Sequence, residues 1–137
     1  MKNKINKEVA ISELDKFLFE VKKINKETLL SGQYGAYVKE CYLRMIQDIG
    51  SGYFYFKDDK IVQVLDFESG GVKELIFNSR FKAKDLSRLS IYHHNDIDGR
   101  NRETVAILTD SAIGIIMHLD SNDFERSKRI IEFYFLG

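Results

Sequence analysis

Two histidines, two amides and two aspartates stand together in His93-His94-Asn95-Asp96-Ile97-Asp98-Gly99-Arg100-Asn101-Arg102, the densest run of chemically able side chains in the sequence. Several readings compete for it. Asp96-Ile97-Asp98-Gly99 resembles the start of a calcium loop, but such loops need further oxygen ligands at set positions and a late bidentate Glu. Arg100 stands where an oxygen ligand should be, which turns the reading away from calcium. His93 or His94 together with His118 would make an acid/base pair of nuclease type, with a lysine steadying charge at phosphorus. Adjacent residues on a strand point to opposite faces, so only one of His93 and His94 can meet His118. Asp98-Gly99 is also a strong turn signal, and a surface loop between strands accounts for the run without chemistry.

His94-x-Asp96-x-Asp98 is similar to the His-x-Asp-x-Asp run of the DHH phosphoesterases. Those enzymes need several further Asp and His motifs to hold two metals, and the sequence has no second cluster, so no metal centre is expected. Cys41 is the only cysteine, which excludes an internal disulfide and a cysteine-rich zinc site. It falls on an apolar helical stripe, where a buried thiol is expected instead of a nucleophile. Gly50-Ser51-Gly52 precedes a strand, and Gly70-Gly71 lies in a turn. Neither opens a helix as a phosphate loop does. No cofactor is expected and no catalytic residue is assigned.

Charge carries more information. The 137 residues hold 21 basic and 21 acidic side chains. This balance argues against a dedicated nucleic-acid binder, which needs a basic surplus to displace counterions. The charges nevertheless fall in blocks. Residues 1–26 and 80–102 are basic, and 27–79 and 103–137 are acidic. Arg80, Lys82, Lys84 and Arg88, followed by Arg100 and Arg102 and interleaved with Phe77 and Phe81 as stacking would require, make the best patch for a nucleic acid or a headgroup. Asp58, Asp59, Asp66, Glu68 and Glu74 make the acidic counterpart, suited to a partner protein with a basic active site. Tyr53-Phe54-Tyr55-Phe56 and Phe133-Tyr134-Phe135 supply more aromatics than one core face needs, and such an excess suits a binding patch.

The elements that must position these groups follow from periodicity. Residues 8–24 repeat apolar side chains at three and four (Ala10, Leu14, Phe17, Leu18, Val21, Ile24) and predict a helix capped by Asn6 or Ser12. A second helix is expected within 27–49. Tyr53–Phe56 and Ile61–Phe67 predict a hairpin around Lys57-Asp58-Asp59-Lys60, and Val72–Phe77 a third strand. Asp85–Leu89 suggests a short helical turn. Ser90–His94, 103–109 and Ala112–Leu119 read as three more strands, the last with Ile113, Ile115, Met117 and Leu119 on one face. A helix capped by Asp120 or Ser121 closes the chain, with Asp123 and Glu125 in its first turn, where acids are favoured. The expected fold is α+β in a single domain over 1–137: an N-terminal helical pair, an antiparallel sheet of about six short strands, and a C-terminal helix packed on the sheet. The polar N-terminus carries no secretory signal and no apolar run reaches the length of a membrane span, so a cytoplasmic protein is expected.

From Leu89 through Thr104–Thr109, Ala112–Leu119 and the helix from Ser121, the pattern resembles the end of bacterial PH-like domains, which implies binding of an anionic ligand or peptide through Arg80, Lys82, Lys84 and Arg88. The whole chain resembles the small α+β immunity proteins that neutralise bacterial toxins. That likeness implies a non-catalytic protein-binding module that occludes a toxin's active site, with Asp58, Asp59, Asp66 and Glu68 as contacts. A PH-like domain is the second reading. A small hydrolase or nuclease using His93 or His94 with Asp96 and Asp98 is the third.

Overall fold

The computed structural model describes residues 3–24, 27, 31, 35–92 and 95–134. These form six α-helices and one three-stranded antiparallel sheet. Helix α1 (Lys7–Lys16) starts at Asn6, whose side chain accepts from Val9 N at 2.9 Å, and widens into a π turn over Phe17–Val21. Helix α2 (Gly35–Gly50) buries Val38, Cys41, Met45 and Ile49 at helical spacing, which matches the predicted stripe. Ile5 N donates to Gly50 O at 3.0 Å, so the segment before α1 is pinned to the end of α2.

The sheet follows in the order β1 (Phe54–Lys57), β2 (Lys60–Ser69), β3 (Val72–Phe77). All three strands were legible as alternating β-branched and aromatic runs. Phe54, Gln63 and Leu75 are cross-strand partners and are all buried, as are Ile61 and Phe77 in the next register pair on the same face. Tyr55, Val62 and Ile76 share the opposite face, where Tyr55 and Ile76 are exposed. The α1 extension closes over the inner face, with the Phe17 and Phe56 rings 5.2 Å apart and tilted by 32°.

The sheet ends here. Of the about six strands expected, three are found among the described residues. Ser90–Tyr92 is a turn, and His93 and His94 lie outside the described residues. Asp85–Leu89 does turn helical: a 3₁₀ turn at Ala83–Asp85 leads into α3 (Leu86–Leu89). Residues 97–108 form α4 (Ile97–Leu108), not a loop and a strand. The Asp96 carboxylate caps it, accepting from Gly99 N at 3.0 Å. Every residue from Glu103 to Leu108 is buried, so no polar face marks the helical period, and the β-branched Thr104, Val105 and Ile107 imitate a strand. Ile113–Met117 is helix α5, not a strand. Ile116 is buried, and Ile113, Ile115 and, just past the helix, Leu119 pack against the core beside it. Met117, expected beneath the last helix, is 60% exposed. The strands expected over 103–109 and Ala112–Leu119 are thus both replaced by helices.

Helix α6 (Ser121–Tyr134) is where it was expected. Asp120 caps it, its carboxylate accepting from Asn122 N at 3.0 Å. Asp123 does far more than complement the helix dipole. Pairing between β2 and β3 slips between Val64 and Ser69, leaving a bulge on β2. The Asp123 carboxylate is fully buried and accepts from two amides of that bulge, Asp66 N at 3.0 Å and Phe67 N at 3.2 Å. Buried Gln63 donates to Asp123 O at 2.8 Å and accepts from Ser127 Oγ at 2.6 Å. Arg126 sets one guanidinium nitrogen 3.3 Å from Asp123 and 3.2 Å from Asp66, with its plane over the Tyr53 ring at 3.5 Å. Arg129 grips Asp48 through two nitrogens at 2.7 and 3.2 Å. Replacing Asp123 by Ala leaves two buried amides without their acceptor and takes one carboxylate from Arg126, so Asp123→Ala should lower unfolding free energy by about 3 kcal/mol. Urea unfolding checks this against Glu125→Ala, an exposed change in the same turn, which should shift stability by less than about 0.5 kcal/mol.

Candidate functional site

The β1–β2 hairpin has a two-residue tip. Lys57 pairs with Lys60, and Asp58 and Asp59 between them both hold positive φ, 52° and 61°. This is the type I′ geometry that suits the twist of a hairpin and is most easily filled by Asn-Gly. The four-residue loop expected from sequence is therefore half strand. A groove of about 230 Å³ lies along one side of the tip, lined by Asp58, Asp59, Lys57 and Phe56 and by Glu13, Lys16, Phe17 and Val21 of the α1 region. A larger groove of about 730 Å³ continues past Glu13 along the sheet to Tyr55, Asp66, Glu68, Lys73 and Glu74. Glu13 lines both. Across the two, Glu13, Asp58, Asp59, Asp66, Glu68 and Glu74 face Lys16, Lys57 and Lys73.

The four acids expected as contacts are thus distributed over adjoining grooves, and they differ in freedom. Asp58, Asp59 and Glu68 are exposed. Asp66 is held by Arg126 at 3.2 Å and belongs in part to the clasp between α6 and β2. Glu13 and Tyr55 were not singled out from sequence. Glu13 reaches the site only because α1 folds back onto the hairpin. Tyr55 donates from its hydroxyl to Glu74 Oε2 at 2.6 Å, and this hydrogen bond, then burial, raises the phenol above its ordinary value.

The basic block is brought together more completely. Arg80, Lys82, Lys84 and Arg88 line one pocket of about 490 Å³ with Lys60, Asn78, Ser79, Asp85, Ile107 and Asp110. Arg88 is committed to Glu103, with contacts of 2.8 and 2.7 Å. Phe77 is buried and Phe81 packs against the core, so neither offers the stacking surface expected between the cations.

Of the residues of the hydrolase reading, His93 and His94 lie outside the described residues. Asp96 caps α4 and Asp98 lies in its first turn. His118 is exposed, with Nδ1 2.7 Å from Gly114 O. Among the described residues no three of His, Cys, Asp and Glu converge as metal ligands would. The Cys41 thiol is buried, and burial pushes it above its ordinary value. No helix among the described residues is long and apolar enough to cross a membrane. No protein-family model matches the sequence, and neither a curated protein nor a solved structure matches it.

Behind the smaller groove, Tyr42 of α2 donates to the Asp15 carboxylate of α1. Burial, then that hydrogen bond and the Asp15 charge, raise the phenol above its ordinary value. A group with a raised folded-state pKa stabilises fully below its unfolded value and loses that contribution as pH rises through the folded one. The stability difference between the wild type and Tyr42→Phe should therefore be constant up to about pH 10 and shrink above it. Denaturant midpoints across that range measure it.

Proposed function

We propose that the protein is a non-catalytic binding module of the immunity or inhibitor kind. It neutralises a basic partner protein, a toxin, in the cytoplasm by laying its acidic hairpin and groove over the partner's active site. The observation that carries this reading is that two grooves sharing Glu13 are lined by six carboxylates and three lysines beside the exposed ring of Tyr55. Complementary charge of this kind speeds encounter and fixes orientation, and a half-exposed tyrosine is a common anchor. Backbone strain at the tip supports it. Asp tolerates positive φ better than most residues, but two in succession are less stable than the Asn-Gly that this turn prefers. Acids are held where glycine would fold better.

Affinity purification from the native host, with wild type and with Glu13→Lys/Asp58→Lys/Asp59→Lys, tests the proposal. The wild type should recover one basic protein and abolish its activity when the two purified proteins are mixed. The triple variant should bind it at least about a hundredfold more weakly. Failure to recover a partner, equal affinity of the variant, or binding that leaves the partner fully active would each overturn the reading.

The strained tip yields a separate expectation. Asp58→Asn/Asp59→Gly should raise unfolding free energy by about 1 kcal/mol while weakening partner binding. Thermal unfolding beside a binding titration separates the two effects.

A further inference from the structure

The cationic pocket calls for a different occupant from the acidic grooves. Its wall is built from the segment 78–88 that follows β3, with Lys60 at the start of β2, Ile107 at the end of α4 and Asp110 just beyond it. Five cations line it against two carboxylates, and both carboxylates have local duties. Asp85 Oδ2 accepts from Lys82 N at 3.2 Å, and Asp110 Oδ2 accepts from the Asn78 amide at 3.0 Å. Arg88 is paired with Glu103. No ion pair joins Lys60, Arg80, Lys82 or Lys84 to a carboxylate among the described residues, so four like charges surround one concavity. Lys22 donates to the carbonyl of Ser79, a residue of the pocket wall, at 2.9 Å. Its ammonium is pushed below its ordinary value by burial and then by the nearby Arg80. Like charges gathered around a cavity repel one another, and a bound anion relieves that repulsion.

We propose that the pocket bordered by Lys60, Arg80, Lys82 and Lys84 binds a small molecule carrying a chain of phosphate groups. The volume of about 490 Å³ is that of a small-ligand site. Several separated cations suit several linked phosphates better than a single one, because each head group then meets its own pair of oxygens. A nucleic-acid strand fits poorly. The whole chain has no net charge to drive counterion release, and the two phenylalanines of the block are turned into the core instead of toward a base. This site is independent of the partner-binding grooves and stands or falls apart from them.

Calorimetric titration of the full chain at low ionic strength with tripolyphosphate, orthophosphate and a short single-stranded oligonucleotide tests it. Tripolyphosphate should bind saturably, one molecule per chain, more tightly than orthophosphate or the oligonucleotide. Lys82→Gln/Lys84→Gln changes only exposed side chains and should weaken that binding at least about tenfold. Glu13→Gln, in the acidic grooves, should leave it unchanged. Absence of saturable binding, undiminished binding by the double lysine variant, or tighter binding of the oligonucleotide would each overturn the proposal.

Discussion

A carboxylate with no access to water organises the contact between the last helix and the sheet. Asp123 is fully buried, and a buried carboxylate destabilises a fold by several kcal/mol unless hydrogen bonds and a counter-charge replace its hydration. Both are supplied by the feature that needs it. The β2 bulge frees amides that β3 cannot reach, and two of them meet the carboxylate. Arg126 then balances the charge while shared with Asp66 and set 3.9 Å from Asp48. Neither partner is stable alone in this environment, since an uncapped bulge wastes buried donors and an uncapped carboxylate wastes a buried charge. Together they fix the axial position of α6 on the sheet. The hydroxyl of Ser127 and the amide of Gln63 repeat the lock one helical turn further on.

Up to Phe77 the sequence was readable because its elements have two distinguishable sides. Helices α1 and α2 show the core one apolar stripe, and the three strands alternate strongly enough to set the hairpin register. Beyond that point the periods fail. In α4 the whole run from Glu103 to Leu108 is buried, so the pattern records burial and not geometry. In α5 five residues are too few to separate a helical period from an alternation, and the burial of Ile116 was hidden by the alternation of Ile113, Ile115 and Met117. The residue that should have warned against a strand is Glu103. A buried acid at the head of an apolar run must find a partner, and it found Arg88 of the neighbouring short helix.

The charged sites were legible in proportion to their closeness in sequence. Arg80, Lys82, Lys84 and Arg88 are nearly contiguous and do share a pocket, but Lys60 joins them only through the antiparallel pairing that sets Ile61 beside Phe77. Asp58 and Asp59 were visible as a doublet. Glu13 was not, since nothing in a helical repeat says which exposed acid will face a hairpin more than forty residues away. Asp123 passed for a dipole-complementing acid because its position in the first turn satisfies that rule. Its larger role depends on a strand irregularity that no local pattern announces.

The β1–β2 hairpin divides the surface by charge. Its outgoing strand ends at Lys57, which lines the acidic groove, and its returning strand begins at Lys60, which lines the cationic pocket. Asp58 and Asp59 stand between the two, over one groove only. A strained turn is retained when its side chains matter more than its conformation, and here the strain holds two negative charges at the boundary between opposite potentials. The boundary is kept short by the tightness of the turn. A longer loop would relax the φ angles, but it would let the aspartates swing toward Lys60 and neutralise the pocket. The strain and the separation of charge are therefore two consequences of one two-residue connection, and the grooves on either side keep opposite signs only while it stays tight.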